Sequence, residues 1–237
     1  KKKYYDFLKN LDFQKGDIIV TYNDSFLSEV ALKIKNKFNV PWISIVADLK
    51  APKDANGYVY FNWVYYQKNQ NNNAIHIDGG VNLKSLNVQN KKKKHKKKII
   101  LYAGTIGDYT GVTYLINAFH HVKEVDTELW ICGKGNYSEI KESVEKDPRI
   151  KFFGYISKSQ LEKKCYQADI FVNPRKSKGN DTNFPSKILF YLSFKKPIIS
   201  TISGLSPKYR NILFLICDEK ISTLTKKIEL ILSLDTK

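Results

Sequence analysis

The chain has 237 residues, 42% of them hydrophobic, enough to bury a substantial core as one large domain or two smaller ones. No run approaches the ~18 apolar residues of a membrane span, and the opening KKKYYDFLKN lacks the apolar core and small-residue cleavage site of a signal peptide, so a cytosolic globular protein is expected. A net charge of +17 raises the question of an anionic partner, although Lys, Asn, Ile and Tyr are all frequent, as an AT-rich coding sequence gives.

Along the chain, short apolar runs alternate with amphipathic stretches, the pattern of parallel sheets covered by helices. DIIVTY at 17–22 and WISIVAD at 42–48 read as buried strands. Between them, SFLSEVALKIKNKF sets Leu27, Val30, Ala31, Ile34 and Phe38 on one helical face, with Ser25 or Asp24 as its cap, and so completes a βαβ unit. An aromatic-rich segment, YVYFNWVYYQ, leads through a Gln/Asn stretch to the short strand AIHIDGG, which ends in a turn at Gly79-Gly80. His76 within that strand reads as structural. KKKKHKKK at 91–98 repels itself and reads as a solvated linker, His95 included. A membrane-surface or phosphate-attracting patch and a nucleic-acid arm are its alternatives, but no recognisable nucleic-acid module accompanies it.

After the Lys run the alternation becomes more regular. Strands are expected at 98–104, 127–133, 149–155, 168–174, 196–201 and 211–217, with helices at 112–122, 137–146, 159–167, 185–194 and 221–234. Strands and helices in this order describe a doubly wound α/β domain, whose ligands bind at the carboxyl ends of the strands. The expected division is a partial α/β domain over 1–90, a linker at 91–98 and a second α/β domain over 99–237. Cys132, Cys165 and Cys217 are odd in number, widely spaced and without nearby His, so buried, reduced thiols are expected rather than disulfides or zinc. There is no Met, not even at position 1, which points to a fragment of a longer product.

The loops after the strands carry the candidate chemistry. YAGTIGDYTG brings glycines that allow close approach to a phosphate at a helix start, yet it fits neither GxGxxG nor a Walker loop, and tight turns explain it as well. CGKGN is equally consistent with a plain turn. In VNPRKSKGNDTNFPSKILFYLSFKKPII, Pro185 suits the first position of a helix, so that backbone N–H groups, the Ser186 hydroxyl and the Lys187 ammonium meet at one place. A pyrophosphate would suit that place; a Ser-Lys pair merely decorating a surface helix is the alternative.

From KIILYAG to about KYRNILF the chain resembles the nucleotide-sugar-binding domain of group 1 (family 4) glycosyltransferases, in particular those that build bacterial surface polysaccharides. ELWICGKG, DPRIKFFGYIS and FPSKILFYLSFKKPIIS match that layout in order and spacing. DIIVTYN and IVADLKAP resemble, more weakly, the later part of the family's acceptor-binding domain. The resemblance implies a GT-B arrangement of two Rossmann-like domains, the first short by most of its initial half. It also implies a UDP- or GDP-sugar donor, a glycan or lipid-linked acceptor, retention of anomeric configuration, no metal or other cofactor, and no nucleic-acid partner. The resemblance also implies work at the cytoplasmic face of the membrane, and the Lys run, in its alternative reading as a membrane-surface patch, would add peripheral contact to anionic lipid.

The resemblance also assigns roles. Main-chain groups of Tyr155 and Ile156 hold the base, and the loop with Gly104, Thr105 and Gly107 approaches the phosphates. Gly133, Thr182, Asn183, Phe184, Ser186 and Phe190 complete the donor-binding set. Arg175 and Lys187 are the catalytic pair that neutralises the departing diphosphate, with the helix start at Ser186 adding its dipole. Many relatives place Glu at the positions of Thr182 and Phe190, the second holding the ribose hydroxyls. Phe cannot accept those bonds, a loss worth ~1.5–3 kcal/mol. Thr105 and Thr110 stand where the family often has Arg and Lys. Three readings follow: a retaining transferase, a degenerate relative that binds nucleotide or a partner without turnover, and a basic module for nucleic acid or anionic lipid, for which charge alone argues.

Overall fold

The computed structural model describes residues 2–48, 50–82, 96–176, 186–201 and 204–234. The chain divides into two compact units, one comprising Lys1–Gly79 with two short later segments, the other the remainder.

The first unit is a parallel sheet in the order β1-β2-β3-β4, made of β1 (Ile19–Tyr22), β2 (Trp42–Val46), β3 (Gly57–Tyr60) and β4 (Ala74–His76). Helix α2 (Ser25–Phe38) makes the crossover from β1 to β2, and α3 (Trp63–Lys68) that from β3 to β4. Asp24 rather than Ser25 caps α2: its carboxylate accepts from the backbone N of Phe26 at 2.7 Å and of Leu27 at 3.0 Å. Val30, Ala31 and Ile34 are buried as the periodicity predicts, while Leu27 and Phe38 are half-buried. Helix α1 (Lys2–Leu8) carries no pattern that sequence reasoning singled out.

Pairing register places Thr21, Ser44, Tyr58 and Ala74 side by side on the sheet's buried face. There Trp42 Nε1 donates to Thr21 Oγ1 at 2.9 Å, and Tyr60 packs against Tyr58, Tyr65 and Tyr66. His76 lies edge-on to Trp63 at 5.0 Å, with Nε2 3.3 Å from the Phe61 carbonyl and 3.6 Å from Asp78 Oδ1, a packed position. The opposite face carries the row Tyr22, Ile45, Val59 and Ile75, of which Tyr22 and Ile75 are more than half exposed.

The second unit is a parallel sheet in the order β10-β9-β8-β5-β6-β7. Its strands are β5 (Lys98–Ala103), β6 (Thr127–Cys132), β7 (Ile150–Phe152), β8 (Ile170–Asn173), β9 (Ile198–Thr201) and β10 (Phe214–Ile216). The interleaved helices are α4 (Val112–His120), α5 (Lys141–Glu145), α6 (Lys158–Gln167), α7 (Lys187–Leu192) and α8 (Ile221–Ser233). The inner strands β8 and β9 are buried throughout, as expected for a sheet covered on both faces. Strand order reverses between β5 and β8, where Ile100 faces Ile170 and Leu101 faces Phe171. Crevices for ligands open at such a switch point.

Several local differences from the sequence reading have physical causes. The helix expected over 137–146 is a 3₁₀ turn at Tyr137–Glu139 followed by α5, because Ile140, at φ −119°, interrupts it to enter the core. Lys98 belongs to β5, so the Lys-rich run ends inside the sheet; residues 91–95 lie outside the described residues. Lys196, beside Pro197, donates from Nζ to the carbonyls of Cys165, Tyr166 and Ala168 and so caps the end of α6. Cys132 and Cys165 are buried as expected, but Cys217 is exposed, since it follows the edge strand β10. Among the described residues no helix is long and apolar enough to cross a membrane.

Candidate functional site

The loops that leave β5, β6 and β7 run side by side at the carboxyl end of the second sheet. Gly104 N donates to the Cys132 carbonyl at 2.9 Å, Gly133 N to that of Gly154 at 2.8 Å, and Ile106 N to that of Lys134 at 2.6 Å. Gly133 makes this lacing possible. Its φ is +156°, and a Cβ there would stand 1.7 Å from the Gly104 carbonyl oxygen. The glycines that sequence reasoning could assign equally to turns or to ligand approach thus serve first to bring backbone against backbone.

Helix α7 sets the charge over this floor. The Tyr191 hydroxyl accepts from Ala103 N at 2.8 Å and donates to Ala103 O at 3.2 Å, while its ring stacks on Phe171 at 4.5 Å. This joins α7 to the last residue of β5. One turn earlier on the helix, Lys187 brings its Nζ to 2.5 Å from the place a Cβ on Gly104 would occupy, and to 4.6 Å from the centroid of the Tyr102 ring. The Tyr102 hydroxyl, pushed up to about 12 by burial, stays protonated and donates to the Thr105 carbonyl at 2.6 Å. Helix α7 has six residues, not the span 185–194 expected, and the Ser186 side chain makes no capping bond. Pro185 lies outside the described residues.

A cleft of about 580 Å³ opens here. Of the residues predicted from sequence, Gly104, Thr105, Gly133, Tyr155, Ile156, Ser186, Lys187 and Phe190 line it. Arg175 does not, but with Lys187, Gly104, Thr105 and Thr110 it lines a second cavity of about 240 Å³. Gly107 lines neither; its carbonyl accepts from Thr110 N at 3.0 Å and Oγ1 at 2.6 Å. Thr182, Asn183 and Phe184 lie outside the described residues. Tyr155 is 72% exposed with Lys134 Nζ 4.5 Å from its ring centroid. Sequence reasoning missed Lys134, Leu161, Cys132 and Tyr191 on the lining. Tyr191 was hidden because its spacing in an apolar helix marks it as core, which it also is.

The electrostatics of the cleft centre on Lys187. Burial, and secondly the neighbouring Arg175 guanidinium, push its ammonium down to about 8. It is therefore charged below that pH and neutral above, and no carboxylate pairs with it among the described residues. An unfolded Lys keeps its proton to about pH 10.4, so between the two values the unfolded state binds more protons and folding stability from this group rises with pH. Anion attraction runs the other way. Affinity for sulfate, whose charge is constant in this range, is expected to fall several-fold between about pH 7 and pH 9.5 in titration calorimetry, and a flat profile would show that Lys187 does not hold the anion.

Residues 97–233 match the sequence profile of the family described as Glycosyl transferases group 1. No curated protein matches the chain. Among solved structures, the lipopolysaccharide outer core galactosyltransferase WaaB in its apo form is 16% identical with a TM-score of 0.75, over 100% of this chain and 71% of that one. A glycosyltransferase from Rickettsia africae is 17% identical with a TM-score of 0.78, over 98% and 70% of the two chains. Anabaena HepE in complex with UDP and glucose is 12% identical with a TM-score of 0.75, over 99% and 72%. At these identities the likeness is one of fold, and it places the chain with the two-sheet, Rossmann-like α/β architecture of the GT-B type.

Proposed function

Because the chain belongs to the group 1 glycosyl transferases, we propose that it moves a sugar from a UDP- or GDP-linked donor to a glycan or lipid-linked acceptor, retaining anomeric configuration, in the synthesis of a surface polysaccharide. The observation that carries this reading is the half-buried ammonium of Lys187, which pairs with no carboxylate among the described residues, held over the Gly104 backbone in a cleft at the carboxyl ends of β5, β6 and β7. The WaaB and HepE likenesses support the choice of glycan acceptor and nucleotide-linked donor.

In this mechanism Lys187, with Arg175 beside it, stabilises the negative charge that develops on the departing diphosphate as the glycosidic bond lengthens toward an oxocarbenium-like state. Backbone groups of Gly104, Thr105 and Gly133 shape the phosphate floor. Tyr155 and Ile156 receive the base, and Thr182, Asn183, Phe184 and Ser186 close the donor corner. Residues 99–237 serve the donor and 1–90 the acceptor, with work at the inner face of the membrane. Phe190 on the cleft wall favours a second reading, a relative that binds nucleotide without turnover.

Ligand-observed NMR of the chain with UDP, GDP and ADP, at low and raised salt, tests the proposal. Base-selective binding that survives salt and weakens about tenfold to a hundredfold in Lys187→Ala is expected, from loss of a charge-assisted contact. Equal binding of every polyanion, lost with salt, would sink it in favour of a merely basic surface. Nucleotide release in the presence of donor sugar separates the transferase from the silent binder.

A further inference from the structure

Resting on the nucleotide-sugar reading, we propose that Phe190 makes this cleft indifferent to ribose hydroxyls, so that 2′-deoxynucleoside diphosphates are taken as readily as ribonucleoside diphosphates. Vicinal hydroxyls are held by acceptors, and a carboxylate does this best because both oxygens accept. The described residues that line the cleft include no Asp or Glu. Residues three apart on a helix are neighbours on its surface, so Phe190 stands next to Lys187 on α7. On the donor reading, the pentose next to phosphates held at Lys187 lies against the Phe190 ring.

That ring is half-buried and fixed edge-on to Phe194 at 5.1 Å and 78°. Among the described residues, Tyr155 and the Lys134 ammonium over its ring lie with the base, and the wall's other side-chain hydroxyls are committed elsewhere or lie at the phosphate end. The Tyr191 hydroxyl is engaged by both polar atoms of Ala103. Thr105 and Ser186, the two side-chain hydroxyls other than Tyr on the lining, adjoin Gly104 and Lys187 and so belong to the phosphate end. The Phe190 ring is only half-buried, so a pentose hydroxyl beside it keeps its water and gains no bond from the ring, and its presence neither adds nor costs much affinity. The substrate class thereby widens to donors built on deoxyribonucleoside diphosphates.

The test is calorimetric binding of UDP against dUDP, and of GDP against dGDP, to the full chain. For whichever base binds, the two dissociation constants are expected to agree within about threefold, whereas a site built to bond the hydroxyl discriminates far more strongly. A larger preference for the ribonucleotide overturns the inference. Phe190→Glu is expected to create a preference of about tenfold for the ribonucleotide over its deoxy counterpart, a ratio from which any change in phosphate affinity cancels. A folded Phe190→Glu chain without that preference removes Phe190 as the determinant. Failure of every nucleotide to bind the parent chain is a different outcome: it overturns the donor reading itself and this inference with it.

Discussion

Gly133→Ala is expected to lose about 3 kcal/mol or more of folding stability, at the upper end of what overpacking costs, and to lose the cleft with it. The new methyl would lie 1.7 Å from the Gly104 carbonyl oxygen, and the residue would have to keep a φ of +156°. The carbonyl has no easy retreat. Gly104 N is bonded to Cys132 O and Ile106 N to Lys134 O, so a shift of residue 104 breaks the lacing between the β5 and β6 loops. Gly154→Ala is the comparison that isolates the clash: its φ is +63° but a Cβ would meet nothing within 4 Å, so only the left-handed strain of about 1–2 kcal/mol applies. Urea unfolding of both variants checks this, and similar midpoints would mean that the loops are not packed as closely as the geometry requires.

The second large effect is expected from Tyr191→Phe, which keeps the ring on Phe171 and removes one oxygen. Ala103 N and O both lose a partner in the interior, and each unsatisfied buried group costs about 1–3 kcal/mol, so a total loss of about 2–6 kcal/mol follows. Because the same hydroxyl ties α7 to β5, the Lys187 ammonium also loses its fixed place over Gly104. Stability and nucleotide affinity therefore fall together. A variant within about 0.5 kcal/mol of the parent would show that water replaces the hydroxyl at Ala103 and that α7 is held by packing alone.

Much of the fold was readable because strands buried on both faces give uninterrupted apolar runs: KIILYA, TELWIC and IFVN each stand out. Their ends ran long in the reading because Gly104, Gly133 and Pro174 mark the loop rather than the last paired residue. The helix at 25–38 was read to its limits, since Asp24 and Asn39 punctuate both ends. The helix at 185–194 was not, since its first turn has no capping side chain and Lys195, at φ +54°, ends it without glycine.

Of the site, the charged end was legible and the machinery beneath it was not. Arg175 and Lys187 announce themselves as cations near strand ends, but a glycine that admits a backbone looks in sequence like one that admits a phosphate. Tyr191 shows the limit best. Only the structure reveals that a core tyrosine spends its hydroxyl on a residue 88 positions away.

That separation governs the order in which the molecule comes into being. β5, β6 and β7 pair as neighbours along the chain, while the far side of β5 waits for β8 and the lock on Ala103 waits for Tyr191. Contacts between distant residues form late, because the intervening chain must first be closed into a loop. Pairing of β5, β6 and β7 is therefore expected to come first in folding, with the recess over Gly104 completed only once α7 docks on β5.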